Sequence, residues 1–195
     1  MGLVVTTAPA TEPLSLDEAK DHLRVDIADH DTRITALIVS ARECVERVTG
    51  RALITQTLTL TLDAFPCDGI ELPRAPVSSI TSVTYKDTSG ATQTLDTAAY
   101  QYDLSDVTPR IVPAPGYVWP STEYGRLAAV TVVYVAGYGA ASAVPASLKH
   151  AMRLIIGTLF AFGEDVISGT IVNEIPTSAA LLMSRYRLPS VLFAA

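Results

Sequence analysis

The 195-residue sequence is poor in charged side chains, and this shortage already restricts what the protein does. Asp, Glu, Lys and Arg make up only 17% of the residues, against roughly 25% in an average soluble domain. So few charges cover a lone globule of this size poorly, and we expect part of the surface to be buried against other chains. The net charge is −6, and basic residues form no patch, which argues against a protein that grips nucleic acid by neutralising phosphates.

The sequence also leads us to expect neither a secretion signal nor a membrane span. Its start, "MGLVVTTAPATEP", has no basic segment of the kind that precedes a signal peptide. No charge occurs from Leu127 to Leu148, but Gly137, Gly139 and Pro145 interrupt that stretch and its first half is β-branched. We therefore expect a buried strand, a loop and a helix start there, and no membrane as a partner.

Cysteine and histidine are too few and too scattered to indicate chemistry. Cys44 and Cys67 show no CxxC spacing and are typical of reduced thiols in a cytosolic protein. The acidic stretch "DIADHD" lacks the ligand spacing of calcium or zinc sites. No GxSxG elbow or nucleotide-binding glycine motif is present, so we predict no cofactor, no metal and no enzyme activity. A catalytic triad is set by geometry and stays open at this point, with three histidines available: His22, His30 and His150.

Two helices are indicated near the start of the chain. "SLDE" at residues 15–18 is a capping box, which predicts a short helix to about Val25. A second helix follows, because apolar residues recur at helical spacing up to Gly50, a residue suited to a left-handed cap. Its opposite face carries two possible i,i+4 ion pairs, Arg42 with Glu46 and Glu43 with Arg47. The apolar stripe consists of Ile34, Leu37, Ile38, Ala41, Cys44, Val45 and Val48.

The pattern changes to period two at Ile54, which predicts an antiparallel β-module of six or seven strands. "ITQTLTLTLDAFP" alternates leucine with threonine, as a half-buried strand does. Further short runs between turn signals are "GIELP", "VSSITSVTYKD", "ATQTLD", "AYQYDLS", "PRIVPAPG" and "LAAVTVVYVAG", and "KDTSGATQ" indicates a hairpin turn. Trp119 lies in a Pro/Gly-rich loop, where a tryptophan favours a partner contact.

Helical spacing returns at Pro145, a residue favoured in the first turn of a helix. The predicted helix is apolar on two sides, which is typical of a helix central to a core or pressed against another subunit. One stripe is Leu148, Met152, Ile155, Leu159 and Phe162, and the second face holds Leu154, Ile156, Phe160 and Ala161. We predict Leu154, Ile156 and Phe160, together with Trp119, as subunit-interface residues.

A last short helix is expected from Pro176 to Arg187, followed by an extended apolar tail. The tail carries no charged side chain after Arg187, whereas chain termini are normally polar and frayed. Something therefore has to cover it, either another protein or the chain's own helices. The fold class we predict is α+β, with an N-terminal helical part (1–53), an antiparallel β-module inserted in the middle (54–136), and C-terminal helices with the tail (137–195). The helical parts are expected to pack together as one domain.

The order of these features resembles the head-tail connector (adaptor) proteins of long-tailed double-stranded DNA phages, prophages and gene transfer agents. The resemblance is carried from Glu12 to Arg187 by "EPLSLDEAKDHLRVD", "VERVTGRALITQT", "LDAFP", "IELPRAPVSSITSVTYKD", "YVWP", "VTVVYVAGYG", "VPASLKHAMRLII" and "IPTSAALLMSRYR". It implies a non-enzymatic virion protein at the head-tail junction, assembled in the bacterial cytoplasm.

In such a junction the resemblance implies a homo-oligomeric ring, usually twelvefold, between the portal protein and a stopper or tail-completion protein. Double-stranded DNA passes through the channel without specific binding. The family's C-terminal region commonly reaches the portal, which by position maps to Tyr186, Arg187, Leu188, Pro189, Val191, Leu192 and Phe193. The alternatives are another morphogenesis role, such as a stopper or tail-completion protein, and a small hydrolase or carbohydrate-binding β-domain.

Overall fold

The computed structural model describes residues 1–161, 166–167, 170–171 and 176–188. The chain divides into two compact units, of which one comprises Met1–Ala10 and Thr55–Gly137 and the other Thr11–Ile54 and Tyr138–Ala195. N-terminal helices, central antiparallel sheets and C-terminal helices are present, so the predicted α+β class is confirmed. Phe162 of the predicted stripe and residues 189–195 of the predicted tail lie outside the described residues.

The first unit, which we call the sheet unit, contains a five-stranded and a three-stranded antiparallel sheet. The strands are β1 (Gly2–Thr7), β2 (Gln56–Leu62), β3 (Ile70–Glu71), β4 (Val77–Lys86), β5 (Thr92–Thr94), β6 (Tyr100–Asp103), β7 (Arg110–Pro113) and β8 (Val130–Ala136). The strand order of the larger sheet is β1-β2-β8-β4-β5, and that of the smaller sheet is β3-β7-β6.

Alternating burial explains why these segments are strands. Leu58 and Leu60 of β2 are buried while the threonines between them are half-buried, and β8 alternates in the same way. The hydroxyl of the buried Tyr134 donates to the carbonyl of Pro73 at 2.7 Å, so its polar end is satisfied. At the predicted hairpin turn the Asp87 carboxylate accepts hydrogen bonds from Ser89 and Gln93, which lower its pKa to about 2.

The second unit, which we call the helical unit, packs four helices around one apolar core. Two further short strands, β9 (Val166–Ile167) and β10 (Thr170–Ile171), pair with each other. The capping box at Ser15 and Glu18 and the left-handed cap at Gly50 form as predicted. The helices are α1 (Leu16–Leu23), α2 (Asp31–Thr49), α3 (Ala146–Ala161) and α4 (Thr177–Ser184).

Two features differ from the sequence predictions. Residues 2–7 form β1 and pair with β2, so Met1–Ala10 belongs to the sheet unit and not to the N-terminal helical part. The last helix ends at Ser184 and not at Arg187, and Tyr186 and Arg187 close turns onto the carbonyls of Met183 and Ser184. The remaining predicted strands and helices form where the sequence patterns placed them.

The ion pair of Arg42 with Glu46 on α2 forms, and it is buried. Arg42 Nη1 lies 3.2 Å from a carboxylate oxygen of Glu46, and Arg42 Nε donates to Glu12 at 2.8 Å. The second oxygen of Glu46 accepts the backbone N–H of Leu53 at 2.8 Å. Burial raises the pKa of Glu12, and attraction to Arg42 opposes this shift only in part. Sequence spacing indicated the pair, but not the additional partners, which are Glu12, thirty residues before Arg42, and the backbone of Leu53, seven residues after Glu46.

We predict that Arg42→Met lowers the free energy of unfolding by about 3 kcal/mol, because it removes the buried guanidinium that pairs with both Glu46 and Glu12. Urea unfolding at pH 7 measures the change. The matched control is Arg47→Met, at an exposed position of the same helix, which should change the stability by no more than about 0.5 kcal/mol. Equal effects of the two substitutions would contradict the role assigned to Arg42.

Candidate docking surfaces

The C-terminal segment of the described chain is fixed to the end of α2. The backbone N–H of Leu188 donates to the carbonyl of Thr49 at 2.9 Å, and Arg51 Nε donates to the carbonyl of Tyr186 at 2.6 Å. Arg51 also hydrogen-bonds Tyr138, whose pKa is raised by burial so that its phenol stays protonated. The first two contacts fix the backbone of Tyr186 and Leu188 on the helical unit, and the bond to Tyr138 holds Arg51 in place.

Among the predicted portal-binding residues that the structure describes, the apolar side chains are buried or partly buried and the charged one is exposed. Leu188 is only 2% exposed and Tyr186 packs partly buried against the helical core, so both are covered by this chain. Arg187 is exposed, as is Arg185 before it. Pro189, Val191, Leu192 and Phe193 lie outside the described residues. The described part of this segment therefore offers guanidinium groups, and not apolar surface, to a partner.

The predicted interface residues of α3 lie largely inside the helical unit. Ile156 is 0% exposed and belongs to the core, and Leu154 packs partly buried against it. The ring of Phe160 meets His30 edge-on at 5.4 Å, and the guanidinium carbon of Arg33 lies 4.9 Å from the ring centre. The second apolar face is thus covered mainly by this chain. The exposed large apolar side chains of α3 and α4 are instead Leu159, which the spacing placed on the other stripe, and Leu181, which it did not single out.

Trp119 holds an apolar loop against the sheet unit. Its ring stacks on Phe65 with centres 4.8 Å apart, and its Nε1 donates to the carbonyl of Pro66 at 3.1 Å. The loop is fixed again where the Ala128 N–H donates to Asp63 at 2.8 Å. Just before Trp119 and between it and Ala128, the loop exposes large apolar side chains, namely Tyr117, Val118, Tyr124 and Leu127. Trp119 was predicted as a partner contact, whereas the structure shows it packed on its own unit; its place in a subunit interface stays a prediction.

The described residues bring together neither a set of metal-ligating side chains nor all three histidines. Among them no three His, Cys, Asp or Glu side chains lie close enough to hold a metal ion, and none of their helices is long and apolar enough to cross a membrane. His22 feels the charges of Arg153 and His150, and burial is the main cause that lowers its pKa. His30 packs instead against Phe160, so the three histidines do not converge.

A shallow groove on the small sheet is a candidate site for the alternative function, a hydrolase or carbohydrate-binding domain. It is lined by Gln101, Tyr102, Asp103, Arg110 and Val112. Hydrogen bonds from the Ser105 hydroxyl and N–H lower the pKa of Asp103, its only carboxylate. A general acid needs a raised pKa and a glycosidase needs two carboxyl groups, so the groove does not fit glycoside hydrolysis.

Comparison with known proteins identifies the class. Residues 13–111 match the family described as "Phage gp6-like head-tail connector protein". The chain belongs to this family, which is a family of structural head-tail connectors, and the resemblance seen in the sequence is confirmed. No curated protein sequence matches the chain. The family match favours the connector over the stopper, tail-completion and hydrolase alternatives.

Solved structures of similar chains come from gene transfer agent (GTA) particles. A chain in the neck of an empty GTA particle, computed with C6 symmetry, is 28% identical with a TM-score of 0.79, over 96% of this chain and 95% of that chain. A chain of the native GTA virion is 27% identical with a TM-score of 0.78, at the same coverage. A chain in the native GTA neck, computed with C12 symmetry, is 27% identical with a TM-score of 0.73, again over 96% and 95%.

We predict that Leu188→Ala destabilises the helical unit by about 2–4 kcal/mol, as expected for truncation of a fully buried leucine. The control Arg187→Ala, one residue earlier and exposed, should stay within about 0.5 kcal/mol of the parent. Thermal or urea unfolding distinguishes the two variants. An unchanged stability of Leu188→Ala would show that the side chain is not held by this chain in solution.

Proposed function

We propose that the protein forms a homo-oligomeric ring, twelvefold in the particle, between the portal and the stopper or tail-completion protein. The ring stands in the neck of a phage-like or GTA-like virion and extends the DNA channel. It carries no enzyme activity and needs no cofactor. Subunits assemble in the cytoplasm of the bacterial host. Support comes from the family and from the C6 and C12 symmetry of the necks that contain similar chains.

The observation that carries the portal contact is the fixed position of Tyr186 and Leu188. Because the Thr49 carbonyl and Arg51 hold Leu188 and Tyr186, the residues that follow are attached at a fixed point of the helical unit. A segment with a fixed attachment point loses less entropy on docking than one attached to a freely moving end. We propose that Arg187 and the residues from Pro189 to Phe193 contact the portal, while Leu188 anchors them to their own subunit.

In the same proposal, the net negative charge of the ring allows DNA to pass through the channel without being bound. The chain carries a net charge of −6, so a ring of many copies is strongly acidic overall. Basic contacts to phosphate slow the movement of nucleic acid and depend on counterion release. An acidic ring lets DNA slide without being held, which suits a conduit.

We predict that deletion of residues 189–195 leaves a folded protein that no longer joins heads to tails. Leu188 is retained in this variant because it is part of the core. Electron microscopy of particles from a deletion strain, complemented with the truncated gene, should show DNA-filled or leaking heads without tails. The companion deletion of residues 188–195 should also lower the melting temperature. Normal tailed particles from the first variant would contradict the portal contact.

We also predict that replacing His22, His30 and His150 together by Gln leaves the yield of tailed particles within about twofold of the parent, since these side chains form no common site. Particle counts in the complemented deletion strain measure this. A folded triple variant that fails to join heads to tails would favour a catalytic role for the histidines.

A further inference from the structure

The outer edge of strand β1 is open among the described residues. β1 pairs with β2 on one side, and no other described strand pairs with its second side. Val4 is 63% exposed and Val5 is 50% exposed, and no charged side chain occurs from Met1 to Thr11. An edge of this kind offers unpaired N–H and C=O groups together with apolar side chains, and is a template for pairing with another chain.

The opposite edge of the same sheet carries the protection that β1 lacks. Strand β5 has only three residues, Thr92–Thr94, and all three are polar and exposed. Two charged side chains lie beside it: the Asp87 carboxylate accepts a hydrogen bond from the Gln93 side chain, and the Lys86 ammonium donates one to the Thr92 hydroxyl. Short length and charged neighbours are the devices by which sheet edges avoid unwanted pairing. The contrast within one sheet indicates that β1 has an occupant in the assembled state.

We propose that a second copy of this chain covers the β1 edge in the assembled ring. The inference rests on the proposed ring. In a closed ring every subunit presents two different surfaces to its two neighbours. Similar chains stand in necks computed with C6 and C12 symmetry, so a second copy lies beside each subunit, and the β1 edge is an open surface for one of these contacts. A copy-to-copy contact through β1 also accounts for the low charge of the chain, since an apolar edge buried in every subunit needs no polar cover. A different virion protein on this edge is the competing outcome.

The occupant is identified by photo-cross-linking in assembled particles. A benzophenone amino acid replaces Val4, and a matched variant carries it at Gln93 on the protected edge. Illumination should give an adduct at twice the 20.7 kDa mass of one chain for Val4, and little or none for Gln93. An adduct of Val4 with another virion protein, or no adduct in tailed particles, would overturn the proposal.

Charge substitutions test whether the contact is needed. Val4→Lys combined with Val5→Lys places cations on the edge without disturbing the core, because both side chains are largely exposed. The melting temperature should stay within a few degrees of the parent, while tailed particles should fall at least about tenfold. Gln93→Lys is the control and should assemble normally. Normal assembly of the double variant would overturn the role of β1.

The two experiments separate failure of this inference from failure of the proposed function. If the deletion strain already makes normal tailed particles, the connector role itself fails. If the deletion strain lacks tails and the lysine variant restores them fully, the ring stands and only the β1 contact is excluded.

Discussion

The C-terminal end of α2 is the point on which the helical unit depends. Within two turns of Gly50, the buried Glu46 accepts the N–H of Leu53, the Thr49 carbonyl accepts that of Leu188, and Arg51 reaches the carbonyl of Tyr186. A helix end normally leaves carbonyl groups without partners. Here the Thr49 carbonyl is paired with the N–H of Leu188, and this bond and the one from Arg51 to Tyr186 connect segments more than a hundred residues apart in sequence. One helix end is therefore capped by a long-range contact.

Regular patterns gave a reliable prediction of the elements, because each is set by local spacing. The capping box at Ser15, the helical stripe before Gly50 and the alternating leucines of β2 are all visible within a few residues. Strand β1 was missed for the same reason. "GLVVTT" is short and mostly exposed, so it shows no alternation of its own and becomes a strand only through its distant partner β2.

Candidate site residues were harder to predict than elements, since apolar spacing does not say which protein covers a side chain. The two apolar faces of α3 suggested a core face and a contact face, yet Ile156 is enclosed by its own unit. The buried Leu188 and the arginine over Phe160 are likewise contacts between residues far apart in sequence. The sequence did indicate that the chain has more apolar side chains than it can bury by itself. Among them, Tyr124, Leu127 and Leu181 are exposed.

The open edge of β1 favours a closed ring of subunits over an open filament. Any row of subunits that pair through β1 leaves one such edge uncovered at its end, whatever its length, and only a closed ring leaves none. Every incomplete ring therefore carries the unfavourable free energy of one exposed β1 edge, and addition of the last subunit removes it. Closure is thus favoured over open filaments by the same strand that makes an isolated subunit prone to association.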